Sequence, residues 1–318
     1  MTTEVVTIGE AMLRLSVRSG DRLDSAAGFE IHVGGAEANV AVALAALGRT
    51  VAWVSVLPDN SLGRRVGMTL RAHDVDIDSV RWTEGARLGT YYVEMSEPPR
   101  PIRVLYDRSG SAASQMVTSD LPWQRIDEAR VVHVSGITPA LSASCRTAVE
   151  ELADRLRPSE VILVVDVNHR TQLWSGSDAR QCLEDVAAGA GLVVCTAEDA
   201  RDVFEVDGSP DYVASALAER LGAERLVITD ASNGAWWRER TASGHVPAVP
   251  ATIVDRLGAG DAFTAGVIDG VLDGDLEAGV WRGVALGAVA LGTRGDQVRT
   301  SRTEVETLLR GTARRIDR

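Results

Sequence analysis

The segment of residues 254–266, VDRLGAGDAFTAG, combines residue types whose spacing suits chemistry on a phosphate group. Gly258 and Gly260 let the backbone approach an anion closely, and a helix of small residues is predicted to begin directly after them. The first amides of a helix lack intrahelical partners and lie at the positive end of the helix dipole, so the amides of Gly258, Ala259 and Gly260 could hold an anion. Asp261 could then accept a proton from a hydroxyl group that attacks the phosphorus. A tight turn followed by an ordinary helix start would explain the same residues.

A second segment, VGGAEANVA at residues 33–41, places small residues and hydrogen-bonding side chains at another predicted helix start. Gly34 and Gly35 permit close backbone approach, while Glu37 and Asn39 supply the donors and acceptors that a polyol requires. A glycine turn in which Asn39 caps the helix is the structural alternative.

The composition removes several classes of enzyme. The 318 residues carry a net charge of −12, with 45% hydrophobic and 25% charged residues, as in an ordinary soluble globular protein. All 33 Lys and Arg residues are arginine. The absence of lysine excludes a Walker-type P-loop, a Schiff-base enzyme and a protein kinase. A phosphate group must therefore be held by backbone amides, arginine and a metal ion.

Charge and hydropathy also limit the partners. An acidic chain without a substantial basic cluster argues against binding nucleic acid. The apolar runs are too short or too glycine-broken to span a bilayer, and the first residues lack the profile of a signal peptide. The three cysteines, Cys145, Cys182 and Cys195, suit reduced thiols. We expect a cytoplasmic protein whose partners include neither nucleic acid nor a membrane.

Strands that alternate with helices predict a doubly wound, mostly parallel α/β sheet flanked by helices. Ligands of such sheets bind beyond the carboxyl ends of the strands. Apolar, β-branched runs predict strands. The first begins at residue 5 and ends at Gly9, and the others lie at residues 51–56, 131–134, 161–165, 192–195, 226–229 and 251–254. Helices are predicted at residues 37–47, 62–71, 143–156, 178–188, 197–204 and 212–221.

Taken together, the segments at 33–41 and 254–266 resemble the paired signatures of the ribokinase-like (PfkB) carbohydrate kinases. Their order and separation are those of the family, and the resemblance spans essentially the whole chain. It implies a single ribokinase-like domain over residues 1–318, with ATP and Mg²⁺ as cofactors and a small-molecule sugar as partner. In that reaction, Asp261 is the base and the amides of Gly258, Ala259 and Gly260 stabilise the transferring phosphoryl group.

Two segments interrupt the α/β pattern. Residues 12–17 and about 89–106 alternate apolar and polar side chains, which is typical of a half-exposed sheet. With the resemblance, they predict a small β-sheet lid, built from about 12–32 and 86–112, that closes over the sugar and excludes water. Lids of this family often pair between subunits, so the resemblance allows a homo-oligomer through this sheet, although the sequence does not decide the oligomeric state.

Four segments resemble the 2-keto-3-deoxygluconate kinase branch of the family: residues 89–92, 106–114, 166–174 and 294–296. The substrate contacts that this resemblance implies are Tyr91, Tyr106, Arg108, Arg170 and Asp296. Arginine suits the carboxylate of a keto-acid sugar. Any one of these arginines, taken alone, could instead be a surface or salt-bridge residue.

The nucleotide contacts are implied at two strand ends. Residues 229–235 occupy the position of the family's glycine turn, with Thr229, Ser232 and Gly234 as candidate ATP contacts and Ala231 where glycine is usual. A plain hairpin is the alternative for this turn. Asn168 and Arg170 lie after another predicted strand, where Asn168 could contact a phosphate or a metal-bound water.

The chain departs from the family pattern at two further positions. Thr196 stands in place of the asparagine of an N-x-x-E segment that orders magnesium through water; Glu198 is the candidate acid, with Asp199 also possible. An acid at a helix start is the structural alternative. Arg256 replaces the threonine common before the glycines, and the sequence does not decide its role.

The sequence thus predicts ATP-dependent phosphorylation of a sugar or sugar acid, at C6 of 2-keto-3-deoxygluconate. The alternatives are a fructokinase-like or other PfkB sugar kinase, or a catalytically silent sugar-binding regulator on the same fold.

Overall fold

The computed structural model describes residues 3–18, 20–95 and 100–316, with side chains up to residue 311. The strands are β1 (Val5–Ile8), β2 (Met12–Ser16), β3 (Glu30–Gly34), β4 (Val51–Val54), β5 (Val56–Pro58), β6 (Arg81–Thr83), β7 (Thr90–Glu94), β8 (Arg103–Asp107), β9 (Val131–Ser135), β10 (Ile162–Asp166), β11 (Leu192–Thr196), β12 (Arg225–Thr229), β13 (Ala235–Glu239) and β14 (Ala242–Val246). The α-helices are α1 (Ala36–Ala46), α2 (Ser61–Arg71), α3 (Trp123–Glu128), α4 (Ile137–Ala140), α5 (Ala143–Leu156), α6 (Gly176–Ala187), α7 (Ala197–Phe204), α8 (Pro210–Leu221), α9 (Ala259–Asp273), α10 (Leu276–Leu291) and α11 (Arg302–Ile316).

The main sheet has eight strands in the order β14-β13-β12-β11-β10-β9-β1-β4. The strands from β12 to β4 are parallel, and β13 and β14 extend the sheet as an antiparallel hairpin. Helices cover both faces, which is why these strands are apolar on both sides. Val164 packs in the core formed with α1, α9 and α10, whereas its neighbour Val165 packs in the core formed with α5 to α8. The predicted doubly wound α/β fold is confirmed.

A separate four-stranded sheet has the order β3-β2-β7-β8 and confirms the predicted small sheet. Arg14 is paired with Tyr91, which in turn is paired with Tyr106, so these side chains share one face. On the other face, Ile31 and Leu105 are exposed. Pairing of two copies through this sheet stays a prediction.

Two predicted strands differ from the structure. Residues 251–254 lie outside every strand, because the amides of Val254 and Asp255 donate to the carbonyl of Leu291 at the end of α10 and not to a neighbouring strand. The predicted strand at 51–56 is divided at Ser55 into β4, which pairs with β1, and β5, which pairs with β6. Among the described residues, no helix combines the length and hydropathy needed to cross a membrane.

Candidate active site

The amides predicted to hold an anion, those of Gly258, Ala259 and Gly260, lie at the start of α9 and are called the cradle below. Gly258 is the N-cap residue, with φ 83° and no side-chain cap, and Asp261 is half-buried in the first turn. Within the described ranges, the amides of Gly258, Ala259 and Gly260 donate no hydrogen bond to other protein atoms. These donors are therefore available to an anion, as unpaired amides at a helix start are expected to be.

Asn39 connects the two sequence motifs. Its Nδ2 donates a 2.7 Å hydrogen bond to Asp261 Oδ2. Because a carboxylate only accepts, Asn39 Oδ1 is left to accept from another donor, and it is buried without a partner among the described residues. The cap of α1 is Gly35, without a side-chain bond, so the alternative in which Asn39 caps this helix is wrong.

The environment of Asp261 suits proton transfer near neutral pH. Burial raises its pKa to about 6; the Asn39 hydrogen bond and Arg170 oppose the shift, and Asp296 and Glu37 add to it. The carboxylate is thus deprotonated at pH 7 but more basic than an exposed aspartate, as a general base requires.

We expect the acidic limb of kcat/KM to fall as the pH drops through about 6, because protonation of Asp261 removes the base. Asn39→Leu keeps the side-chain size but removes the hydrogen bond that stabilises the ionised form of Asp261. A charge-assisted hydrogen bond contributes about 1.5–3 kcal/mol. At 1.36 kcal/mol per pKa unit, the limb should move to higher pH by about one unit or more. pH–rate profiles of both proteins measure this shift; an unmoved limb, in a variant with a native circular dichroism spectrum, would contradict the assignment.

Four predicted substrate contacts converge on the same side of the small sheet. The Tyr91 hydroxyl and the Asp296 carboxylate both pack on Gly34, where an added Cβ would lie 2.1 Å from the hydroxyl oxygen and 2.9 Å from the carboxylate carbon. Tyr106 stacks on Tyr91 with 5.6 Å between ring centroids. Burial raises the pKa of Asp296, and the Arg14 guanidinium opposes that shift. Gly34, Tyr91, Tyr106 and Asp296 thus form one wall beside the cradle.

Glu37 is bonded to the protein itself. It is buried, and its Oε1 accepts hydrogen bonds from the amide and hydroxyl of Ser135, at 3.0 and 2.7 Å, and from the Thr138 hydroxyl at 2.8 Å. These bonds tie the start of α1 to the end of β9. Contacts of Gly35 and Glu37 with substrate stay predictions.

The two predicted arginines differ in their surroundings. Arg108 is buried, and its Nε donates a 2.8 Å bond to Glu10 Oε2 while its guanidinium lies over Tyr106. Arg170 is exposed, and its charge opposes the burial that raises the pKa of Asp261, Asp166 and Asp199. Arg170 is therefore a cation whose charge acts on the acids of the site, whereas the charge of Arg108 is already balanced by Glu10. Sequence reasoning missed Glu10.

The predicted nucleotide contacts lie at the carboxyl ends of β10, β11 and β12, where Thr196 is in register with Thr229. Asn168 is buried with φ 36°, and Ala231 has φ 43°, a left-handed conformation that favours glycine. The chain thus keeps a glycine-like backbone at Ala231. Asp230 is held by Asn233, whose Nδ2 donates to its Oδ2 at 2.8 Å.

The turn between β12 and β13, residues 230–234, exposes one of its candidate ATP contacts and buries another. Ser232 is exposed in a short 3₁₀ turn, whereas Gly234 is buried at the start of β13. The turn is also the hairpin of the structural alternative, since β12 and β13 pair antiparallel. Roles of Thr229, Ser232 and Gly234 in binding ATP stay predictions.

Sequence reasoning missed Asp166, the last residue of β10. Burial, followed by repulsion from Asp261 and Asp199, raises its pKa to about 8. The signal was its position at the carboxyl end of a central strand, where ligands of such sheets bind.

Of the two acids that start α7, it is Asp199 whose carboxylate lies towards the site, where it accepts from the amide of His169. Glu198 is exposed in the same turn, and its role towards magnesium stays a prediction. No group of three or more metal-ligating side chains forms a direct site in the described part of the chain. Mg²⁺ commonly keeps several waters, so water-mediated contacts from these acids would fit it.

Comparisons with known proteins identify relatives along the whole chain. The profile of the pfkB family carbohydrate kinases matches residues 2–303. A 2-dehydro-3-deoxygalactonokinase of Haloferax volcanii is 38% identical over 319 residues, which cover 100% of both chains. A 2-dehydro-3-deoxygluconokinase of Thermoproteus tenax is 31% identical, covering 96% of this chain and 94% of its own. The crystal structure of the Thermotoga maritima 2-dehydro-3-deoxygluconokinase has a TM-score of 0.91 and 29% identity, covering 98% of this chain and 99% of that one.

Proposed function

This chain belongs to the PfkB family of carbohydrate kinases, and from that premise we propose that it transfers the γ-phosphate of ATP to the 6-hydroxyl of 2-keto-3-deoxygluconate. The observation that carries the proposal is Asp261, held by Asn39 at 2.7 Å beside helix-start amides without protein partners in the described ranges.

Each residue then has a defined task. Asp261 accepts the proton of the sugar hydroxyl as its oxygen attacks the phosphorus, and Asn39 orients that carboxylate. The amides of Gly258, Ala259 and Gly260 stabilise charge on the transferring phosphoryl group. Glu198 or Asp199 would contact bound Mg²⁺ through water, and the ion would neutralise phosphate charge.

A sugar acid is favoured over a neutral sugar by Arg170 and by the relatives. The charge of Arg170 acts on Asp261, whereas Arg108 is already paired with Glu10. A carboxylate is the group that guanidinium recognises best. The 38% identical relative is named for the galactonate epimer, so 2-keto-3-deoxygalactonate is the second candidate substrate.

A coupled ADP-release assay with a panel of acceptors tests the proposal. We expect the highest kcat/KM with 2-keto-3-deoxygluconate or its galactonate epimer, and much lower values with fructose, ribose and adenosine. A preference for fructose would favour the fructokinase alternative. Sugar binding by calorimetry without ADP release from any acceptor would favour the silent regulator.

Gly260→Ala tests whether phosphates lie against the cradle. A Cβ at Gly260 meets no protein atom within 4 Å, so the fold should accept it. The added methyl would crowd a phosphate, and we expect kcat/KM for ATP to fall about tenfold, or about 1.4 kcal/mol of transition-state stabilisation. The exposed helical Gly311, also with open space around it, provides the matched control Gly311→Ala. Equal kinetics of the two variants would show that no phosphate approaches Gly260.

A further inference from the structure

Arg14 is a buried cation that links the small sheet to the region of the cradle. It lies in β2 and is 1% exposed. Its guanidinium reaches from the small sheet to Asp255 and Asp296, which lie in loops outside that sheet. Its Nη2 lies 2.6 Å from Asp255 Oδ2, and its Nη1 lies 3.0 Å from Asp296 Oδ2. Its Nε donates to the Ser16 hydroxyl at 2.7 Å, which fixes the plane of the guanidinium. Burying a charge is costly unless it is paired, so this placement requires both acids.

Asp255 holds the backbone on the N-terminal side of the cradle. It is 2% exposed, and its Oδ1 accepts from the amide of Leu257, the residue before Gly258, at 3.1 Å. Its Oδ2 accepts from the amide of Gly295 at 3.2 Å. One carboxylate therefore joins the segment that leads into the cradle to the loop that carries the substrate contact Asp296.

Asp296 holds the other side. Its carboxylate packs on Gly34 beside the Tyr91 hydroxyl, and its backbone oxygen packs so closely on Gly258 that a Cβ there would lie 2.0 Å away. The charge of Asp255 disfavours ionisation of Asp296, whereas Arg14 favours it. Without the guanidinium, the two buried carboxylates of Asp255 and Asp296 would lie close together with their shared cation removed.

We propose that Arg14 is a positioning residue, an inference that rests on the proposed phosphotransfer. Its guanidinium fixes the cradle and the loop of residues 294–296, called the substrate loop, against the small sheet. Arg14 contacts Asp255 and Asp296 and acts through them on the amides that follow Leu257. Its loss should lower turnover, because misplacement of about 1 Å costs on the order of 10²-fold in rate.

The structure also allows the charge to be replaced from solution. A cavity of about 350 Å³ is lined by Arg14, Ser16 and Asp255, and its rim includes the exposed side chains of Ile253 and Val254. Truncating Arg14 to alanine would extend this cavity up to the two carboxylates. A guanidinium ion, planar and with the same donors, could then reach the vacated position.

The experiment compares Arg14→Ala with and without millimolar guanidinium chloride in the ADP-release assay. We expect kcat to fall about 100-fold, with guanidinium restoring it at least tenfold. Urea, the neutral molecule of similar shape, should restore nothing, because the two carboxylates require a positive charge. Rescue by urea to the same extent, or a kcat of Arg14→Ala within threefold of the native value, would overturn the proposal.

Arg155→Ala is the matched control. Arg155 of α5 pairs with Asp127 of α3 in an exposed ion pair, so this variant removes a guanidinium–carboxylate pair from two helices that carry none of the proposed site residues. We expect native kinetics and no response to guanidinium. Equal rescue of both variants would mark a general ionic effect and would also overturn the proposal.

Hydrogen exchange of peptides covering residues 254–261 gives a readout that does not depend on turnover. In Arg14→Ala these amides should exchange faster, and guanidinium should slow them again, at concentrations that leave the melting temperature unchanged. Unchanged exchange would overturn the positioning role even if the protein phosphorylates no sugar. If the native protein phosphorylates none, the proposed function fails, and the exchange result alone decides for or against Arg14.

Discussion

Asp261→Asn should lower kcat by about 10²–10⁴-fold while the KM values for sugar and ATP stay within a few-fold, because general-base assistance contributes about that much to the rate. Asparagine has the size of aspartate, and its side-chain oxygen can still accept the 2.7 Å bond from Asn39. The amides of the cradle are untouched by the change. What is lost is the proposed base, so the effect should fall on turnover and not on binding.

Steady-state ADP release measures kcat and both KM values, and calorimetry checks that the variant binds the sugar. Asp211→Asn is the matched control, since Asp211 is exposed in the first turn of α8 and its loss changes the charge of a helix start by the same amount. We expect native kinetics from it. Turnover of Asp261→Asn within threefold of the native enzyme would mean that another group accepts the proton.

The parts of the site that the sequence predicts are those carried by contiguous motifs. Gly258 and Asp261 lie within four positions, and the conformational freedom of glycine, the free amides of a helix start and the carboxylate can all be read from that segment. The pairing of Asn39 with Asp261 spans 222 positions, but the resemblance of both motifs to one family already placed them together.

The parts that the sequence did not reveal depend on distant partners. Arg14 and Asp296 are 282 positions apart. Nothing in the local sequence distinguishes Arg14 from the rest of the 33 arginines. Glu10 is likewise recognised only through its bond to Arg108. Local propensity also failed at residues 251–254, where a β-branched run is exposed and bonded to the end of α10.

Adjacent acids pose a different problem. Glu198 and Asp199 lie about 100° apart around the start of α7, so the exact helix phase decides which carboxylate faces Asp166. A sequence pattern places the turn but not its rotation. The structure orients Asp199 towards the amide of His169 and leaves Glu198 exposed.

Gly258→Ala should have a large effect on both stability and rate. Gly258 has φ 83°, and an added Cβ would lie 2.0 Å from the backbone oxygen of Asp296, which cannot rotate away as a side chain could. The left-handed conformation alone costs a non-glycine residue about 1–2 kcal/mol. The collision must in addition push the cradle away from the substrate loop. We expect the free energy of unfolding to fall by about 3 kcal/mol, and kcat/KM by on the order of 10²-fold or more.

Gly274 separates these two costs, because it lies at the other end of α9 with a similar φ of 76° and no atom within 4 Å of an added Cβ. Gly274→Ala should therefore lose only the conformational part, about 1–2 kcal/mol in urea unfolding, and keep native kinetics. The difference between the two variants measures how tightly Asp296 is packed on the cradle. If Gly258→Ala is no less stable and no less active than Gly274→Ala, the substrate loop can move freely from the helix start, and Gly258 is required for its backbone conformation alone.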